Sequence, residues 1–192
     1  MKILWLFAAI AINTISGQKL IYDIYVLGNK VGDGIVERRR EDNGLNYYNF
    51  RSNISIKLLF QERLIQSNYN VLFKNNDLIY AYCKSLHDDK IVETETKKES
   101  DYFTIKKNGQ QSKLTEKINF STVQLFFIEP EKISKIYSER LGEFVDILKI
   151  APGEYINRQK DVINIYRYRN GVLHELEMRK PLGSVIMRLK NK

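Results

Sequence analysis

Residues 171–180, GVLHELEMRK, alternate apolar and charged side chains over one short stretch. The positions on one face of an extended chain are Val172, His174, Leu176 and Met178, and those on the other are Glu175, Glu177 and Arg179. An alternation with a period of two is typical of a β-strand that buries one face and exposes the other. The stretch therefore predicts a strand packed on an apolar core.

The same alternation recurs along most of the chain, for example over residues 65–73 and 184–190. Twelve Tyr and nine Phe against three Pro agree with a strand-rich fold. Short turn signals separate the apolar runs, and Asn-Gly pairs at 108–109 and 170–171 suit tight hairpins. Strands joined by such turns are antiparallel neighbours. We expect a mainly β fold, in which about ten or eleven strands form an antiparallel meander as a curled sheet, half-barrel or barrel.

Residues 118–142 break this pattern. Ser121 followed three residues later by Gln124 is a helix-capping arrangement. Pro130 then precedes apolar residues at helical spacing, and Gly142 is placed to end a helix. This segment predicts a short two-helix insert near 120–140, which covers one opening or one face of the sheet.

The N-terminus is typical of a secretory signal peptide. Met1-Lys2 precedes the apolar run ILWLFAAIAI at 3–12, and small residues follow up to Gly17. We expect residues 1–17 to be cleaved between Gly17 and Gln18, leaving 18–192 as a single β-rich domain. The mature protein is then exported, either periplasmic or secreted, with no transmembrane segment after cleavage.

The glycine-containing stretch 22–34, YDIYVLGNKVGDG, raises the question of a phosphate-binding loop. No Gly-Lys-Ser/Thr ending is present, and Glu37 stands where a dinucleotide fingerprint needs a third small residue. The residues that follow alternate like a strand, whereas both motifs require a helix there. We therefore interpret Gly28-Asn29 as a hairpin turn and Gly32 or Gly34 as a bulge or sharp bend.

The net charge of +8 does not form an evident nucleic-acid stripe. The densest runs are 38–40, 97–98 and 106–107, and neighbours on a strand point to opposite faces. We interpret most of this charge as solvated surface and expect no nucleic-acid partner. The two histidines, His87 and His174, have no metal-ligand spacing, and Cys83 is the only cysteine, so no cofactor or metal is expected.

Catalytic signatures are also missing from the sequence, since no G-x-S-x-G motif occurs. We interpret Cys83 as a small core residue. Paired carboxylates for a hydrolase could come from the glutamates near the insert, but acidic residues alone do not identify such an enzyme. A hydrolase is therefore kept as the least favoured function, and no catalytic residue is assigned. These glutamates are Glu129, Glu131, Glu139 and Glu143.

Aromatic residues are dense in the first two thirds of the chain. They either fill the core of the sheet or line a concave surface for an apolar small molecule, lipid or acyl chain. The leading hypothesis is non-enzymatic binding of such a ligand, and the alternative is an envelope interaction or assembly module that holds a protein partner. The candidate ligand-binding residues are Phe60, Tyr80, Tyr82, Phe126 and Phe127.

Five blocks of sequence carry a family resemblance. They are YDIYVLGNKVGDG (22–34), RSNISIKLLF (51–60), INFSTVQLFFIEP (118–130), YSERLGEF (137–144) and YRYRNGVLHELEM (166–178). Together they resemble uncharacterised, domain-of-unknown-function proteins that Gram-negative bacteria export. This resemblance implies a signal peptide and one β-rich domain, and it transfers no catalytic or binding residue. A more distant similarity, of architecture only, is to periplasmic half-barrels that carry lipoproteins or lipids.

Overall fold

Fifteen β-strands make up most of the described chain. The computed structural model describes residues 16–58, 61–87, 90–181 and 183–190. The predicted leader therefore lies outside the described residues, except for its last two positions. The strands are β1 (Ser16–Val26), β2 (Asn29–Arg40), β3 (Leu45–Leu58), β4 (Gln61–Lys74), β5 (Asp77–His87), β6 (Lys90–Lys98), β7 (Phe103–Lys107), β8 (Gln110–Leu114), β9 (Lys135–Ser138), β10 (Glu143–Asp146), β11 (Leu148–Ala151), β12 (Glu154–Gln159), β13 (Val162–Arg169), β14 (Val172–Lys180) and β15 (Gly183–Leu189).

Thirteen of these strands form one antiparallel sheet in the order β11-β12-β13-β14-β15-β1-β2-β3-β4-β5-β6-β7-β8. The predicted antiparallel meander is confirmed, although it has more strands than we expected. The first strand pairs with the last, Tyr22 opposite Leu189, which joins the two halves of the chain in the middle of the sheet. No pairing joins β8 to β11 in the described chain, so the sheet is open and the closed-barrel alternative was wrong.

Tight turns connect most neighbouring strands, as the sequence predicted. Asn108-Gly109 and Asn170-Gly171 adopt positive φ angles at both central positions, which the hairpin geometry requires. The first turn is one residue earlier than predicted. Leu27 and Gly28 have positive φ, and Asn29 is already the first residue of β2, where it pairs with Val26 of β1.

The predicted irregularity at the glycines of β2 is confirmed at Gly32. The register between β1 and β2 shifts between Ile24 and Tyr25, directly opposite this glycine. A Cβ on Gly32 would collide with the carbonyl oxygen of Asn53 on β3. The missing side chain therefore permits a close approach of two strands, and it has no relation to phosphate binding.

Side chains of the sheet alternate between an inner face, buried under residues 115–147, and an outer face. Leu176 and Met187 are cross-strand neighbours on the inner face, while Glu175 and Arg188 oppose each other on the outer face. The prediction that Val172 and His174 lie on the buried face of β14 is wrong at the start of this strand. A register shift between Arg167 and Tyr168 buries Leu173 and leaves His174 half-buried.

Residues 115–147, which we call the inner segment, replace the predicted two-helix insert. The described segment contains one 3-10 helix, Thr122–Phe126, followed by the β9–β10 hairpin. The predicted cap is present in part, because Gln124 Oε1 accepts a hydrogen bond from the Ser121 backbone N–H at 2.9 Å. The second predicted helix is wrong. Residues 136–139 are all buried, so the stretch forms a strand enclosed on both sides rather than an amphipathic helix.

The sheet curves around the inner segment. Strands β13 and β6 are eight steps apart in the strand order, which corresponds to roughly 38 Å in a flat sheet. Both nevertheless contact this one segment: the Tyr168 hydroxyl donates to the carbonyl oxygen of Leu125 at 2.9 Å, and Thr96 Oγ1 shares a hydrogen bond of 2.7 Å with the Tyr137 hydroxyl. Ser121 and Tyr137 form a parallel bridge within the segment. The expectation that residues 120–140 cover one face of the sheet is confirmed.

Candidate functional site

The candidate aromatic residues lie on both faces of the sheet. Phe126 and Phe127 belong to the inner segment and are buried. The Phe126 ring stacks on Phe50 with centroids 5.4 Å apart, and Phe127 packs 5.9 Å from Tyr48. These rings therefore contribute to the packed core between sheet and inner segment. Phe60 lies outside the described residues.

Tyr80 and Tyr82 lie on the outer face of β5 and are half-buried. The Tyr80 hydroxyl donates a hydrogen bond to Glu95 Oε1 at 3.1 Å. Burial and the neighbouring Glu95 carboxylate raise the pKa of Tyr80 to about 12. The structure thus separates this pair from the two phenylalanines, and the five predicted residues do not form one site.

Tyr80 does belong to a concavity, however. A groove of about 660 Å³ crosses the outer face of β1 to β5, and we call it the outer groove. Its floor is a row of directly opposed residues on four successive strands: Arg39, Tyr47, Leu72 and Tyr80. Because side chains at such paired positions point to the same side of a sheet, the four line one continuous surface. Tyr47 and Leu72 are half-buried and contribute its apolar centre.

Positive charge predominates at one end of the outer groove. The Arg39 guanidinium lies over the Tyr47 ring, 4.5 Å from its centroid. Its only ion pair among the described residues is a long one, 3.7 Å to Glu41. Lys19 also lines the groove, where it pairs with Glu37 at 3.1 Å. Arg39 is therefore more available to a ligand than Lys19.

The glutamates near the inner segment serve different contacts. Glu139 is only 1% exposed, and its carboxylate accepts hydrogen bonds from the Thr122 hydroxyl and the Val123 N–H. Burial raises its pKa above the ordinary glutamate value. Glu129 accepts a hydrogen bond from the Tyr155 hydroxyl at 2.8 Å, and Glu143 is exposed on β10. Glu139 and Glu129 thus serve separate hydrogen bonds, while Glu131 and Glu143 are exposed.

The thiol of Cys83 and the imidazole of His174 are the remaining side chains that could carry chemistry. Cys83 is fully buried, and burial raises the pKa of its thiol to about 11. Burial and nearby Arg169 lower the pKa of His174. Within the described ranges, no three His, Cys, Asp or Glu side chains are grouped to hold a metal ion. Nor does that part of the chain contain a helix with the length and apolar character to cross a bilayer.

Comparison with protein families gives one match. The model of a domain of unknown function, DUF6134, matches residues 22–190. The chain belongs to this family. The match includes strands β2 to β15 and the whole inner segment, so the curved sheet and its filling are parts of one family domain. Comparisons with curated proteins and with solved structures give no match.

Sequence reasoning missed three of the four residues on the groove floor. Arg39 was assigned to solvated surface, and Tyr47 was counted only among the aromatics of the chain. The available signal was the pairing of strands: once the hairpin turns fix the register, Tyr47 lies opposite both Arg39 and Leu72. A search limited to aromatic residues could not find a site composed of one arginine, one leucine and two tyrosines.

Proposed function

We propose that this protein is a non-enzymatic binding protein whose outer groove holds an amphiphile with an acyl chain and an anionic head group. The observation that carries the proposal is the row Arg39–Tyr47–Leu72–Tyr80. It places a cation at one end of an apolar floor. The groove volume of about 660 Å³ falls in the range usual for small-molecule sites, roughly 300 to 1,000 Å³.

The physical basis for affinity is the burial of the acyl chain on this floor. Covering apolar surface contributes about 25 cal/mol per Å² of area removed from water. The Arg39 guanidinium can pair with a carboxylate or phosphate head through two parallel hydrogen bonds. Its stacking on Tyr47 limits the guanidinium to few orientations, which reduces the entropy lost on binding.

We also propose that binding follows export and removal of residues 1–17. Gly17 and Gln18 line the outer groove, so cleavage between them would leave the new N-terminus beside it. An α-amino group has a pKa of about 7.7 to 8.0 and is largely protonated near neutral pH. The mature N-terminus would then add a second positive charge for the same head group.

Calorimetric titration with dodecanoate and with dodecanol tests the proposal. Dodecanoate should bind the protein produced from Gln18 onward more tightly than the neutral alcohol does. Arg39→Gln should remove most of that difference, and Leu72→Asp should weaken both ligands because it places a charge on the apolar floor. Lys84→Gln, an exposed outer-face change on β5 outside the groove lining, is the matched control. Equal binding by wild type, Leu72→Asp and the control would refute the groove.

A second function, an interaction or assembly module, is favoured by the edge strand β11. Leu148 and Ile150 are 56% and 52% exposed there, and β12 is the only strand of the described chain that is hydrogen-bonded to β11. We propose that a strand of a protein partner can extend the sheet at this edge, since unpaired backbone groups and exposed apolar side chains favour strand addition.

Affinity capture from cell-envelope extracts tests this second function. Wild type should retain a stoichiometric protein, and Ile150→Lys should lose it because a lysine at an edge strand opposes pairing. Lys149→Ala, at the intervening position, is the control. Capture that is equal for wild type and Ile150→Lys would exclude β11 as the contact.

A further inference from the structure

A second concavity, of about 310 Å³, lies on the inner side where β2 ends and β3 begins. We call it the arginine pocket. Tyr48 and Phe73 form a buried apolar base, at 3% and 1% exposure. The residues around it that carry hydrogen-bond donors are Arg38, Arg40, Asn46, Tyr48, Asn76 and Gln124.

The position of the two arginines follows from the period of the strand. In the run Arg38-Arg39-Arg40, the outer two side chains share the inner face while Arg39 points to the outer groove. Arg38 lies opposite Tyr48 on β3, and Arg40 lies opposite Asn46. The expectation that this run would be divided between faces is confirmed, and the division concentrates two guanidinium groups on the inner side.

Positive charge in the arginine pocket is not neutralised. Neither Arg38 nor Arg40 forms an ion pair with a carboxylate of the described residues. Glu41 also lines the pocket, but its two oxygens lie near other groups, Arg39 at 3.7 Å and the Asn43 amide at 3.2 Å.

Arg38 also has an unsatisfied donor. Its Nε is buried without a hydrogen-bond partner among the residues that the structure describes, while its guanidinium lies 5.5 Å from the centre of the Tyr48 ring. A buried donor without a partner costs about 1 to 3 kcal/mol, so such a group in a native fold requires an explanation. A ligand oxygen that accepts a hydrogen bond from Arg38 Nε would provide this explanation.

The amide of Gln124 strengthens the donor character of the site. Its Oε1 already accepts the hydrogen bond from Ser121, which leaves Nε2 to donate. Gln124 hydrogen-bonds Tyr48, and both this bond and the charge of Arg40 oppose the effect of burial, which raises the pKa of the Tyr48 phenol. The groups that converge here are thus mainly donors and cations.

We propose that the arginine pocket binds the oxyanion group, carboxylate or phosphate, of a small molecule. A modest rotation of the Arg38 guanidinium would present its Nε–Nη2 edge to two oxygens of the ligand, with Arg40 opposite. The apolar base of Tyr48 and Phe73 would carry the organic part. Arg38 and Tyr48 line both concavities, but Arg40 and Gln124 line only the arginine pocket, so substitution of Arg40 tests this site separately from the proposed groove function.

Amide-resolved NMR titration tests this site with two probes, inorganic phosphate and benzoate. Either probe should shift the backbone amides of Arg40, Asn46 and Asn76. Phosphate binding alone indicates a phosphorylated ligand, and benzoate binding alone indicates an organic carboxylate. Failure of both probes to shift these amides at millimolar concentration overturns the proposal.

Arg40→Gln and Arg39→Gln form a matched pair of neighbours on opposite faces. Arg40→Gln should weaken binding of the responsive probe about tenfold, since it removes a charge-assisted hydrogen bond, whereas Arg39→Gln should leave it unchanged. Arg40 is exposed, so its substitution tests the site even where Arg38→Gln fails to fold. Equal losses in both variants would indicate a general charge effect and contradict the pocket. The same pair distinguishes this site from the groove, where Arg39→Gln is the damaging change.

Discussion

Glu139 Oε1 accepts a hydrogen bond from the backbone N–H of Val123 at 3.1 Å, in the interior of the protein. The same carboxylate accepts the Thr122 hydroxyl, so both bonds hold the first turn of the 3-10 helix against the end of β9. The carboxylate thereby satisfies an N–H of the kind that a helix start leaves unpaired. Glu139 is a structural residue of the inner segment, and burial raises its pKa.

Glu139 should give the protein a pH-dependent stability term. The pKa of Glu139 is higher in the folded state than in the unfolded state. At a pH above the ordinary glutamate range, the folded state therefore keeps this proton while the unfolded state has lost it. The free energy of unfolding should therefore decrease from that range up to the raised pKa. Other carboxylates such as Asp77 have lowered pKa values and act in the opposite direction.

Urea unfolding of wild type and Glu139→Gln between pH 4 and 7 isolates this term as a difference. The stability of the variant relative to wild type should increase with pH over this range. Glu143→Gln, an exposed position of the same hairpin, is the control and should change the midpoint little. A constant difference between wild type and Glu139→Gln would contradict a raised pKa.

The meander was predictable because its signals are local. Asn108-Gly109 and Asn170-Gly171 fix tight hairpins, and the alternation around Tyr69 and Val71 fixes which side chains share a face. Deviations occur where one extra residue changes the phase, as at Leu173 and His174. A bulge depends on the partner strand, which a local pattern does not contain.

The inner segment could not be predicted from local signals. Ser121 and Gln124 did predict the start of a helix, and that start is correct. The following stretch contacts strands far apart in the sequence, so Ile136 and Tyr137 are buried on a strand although their spacing suits a helix. Tertiary burial overrides propensity in such a segment. Tertiary contacts also separate the candidate aromatic residues, which the sequence alone does not distinguish: Tyr80 lines the outer groove, whereas Phe126 belongs to the core.

Gly32→Ala should strongly destabilise the protein. The added methyl group would collide with the Asn53 carbonyl oxygen on the neighbouring strand, and backbone cannot yield as a flexible side chain does. We expect a loss of about 3 kcal/mol or more in the free energy of unfolding. Gly171→Ala is the control, since its Cβ meets open space and only its φ of +74° is unfavourable, at about 1 to 2 kcal/mol. Equal losses would show that the close approach is not important.

Cys83 should be inert in the folded protein. A pKa of about 11 leaves roughly one thiol in a thousand ionised at pH 8, and the side chain is fully buried. Alkylation by iodoacetamide, followed by intact mass, should be negligible in buffer and complete in denaturing urea. Rapid modification of the folded protein would contradict both the burial and the assignment of Cys83 to the core.

Export and cleavage of the leader can be tested through tryptophan. The single tryptophan of the chain is Trp5, within the predicted leader. Protein recovered from the envelope or medium should therefore show tyrosine fluorescence only, and its N-terminal residue should be Gln18. Indole fluorescence in the exported protein, or a chain that stays in the cytosol with Met1 intact, would contradict the predicted signal peptide.

Tyr22→Phe tests the junction between the two ends of the chain. The Tyr22 hydroxyl donates to the carbonyl oxygen of Leu173 at 2.7 Å, across 151 positions of sequence, and its ring packs edge-on against Phe126. Phenylalanine keeps the ring contact but leaves a buried carbonyl without this donor, so we expect a loss of about 1 to 2 kcal/mol.

Chemical unfolding followed by circular dichroism measures that loss. Tyr25→Phe is the matched control on the same strand, because its ring lies near Arg188 on the outer face and a phenylalanine preserves that contact. If the hydrogen bond links the first strand to the C-terminal half, Tyr22→Phe should lower the unfolding midpoint while Tyr25→Phe should not.

A single cooperative transition in both variants is also expected, because β1 lies between β15 and β2 and belongs to both halves of one sheet. Separate transitions for the two halves would show that this junction does not couple them.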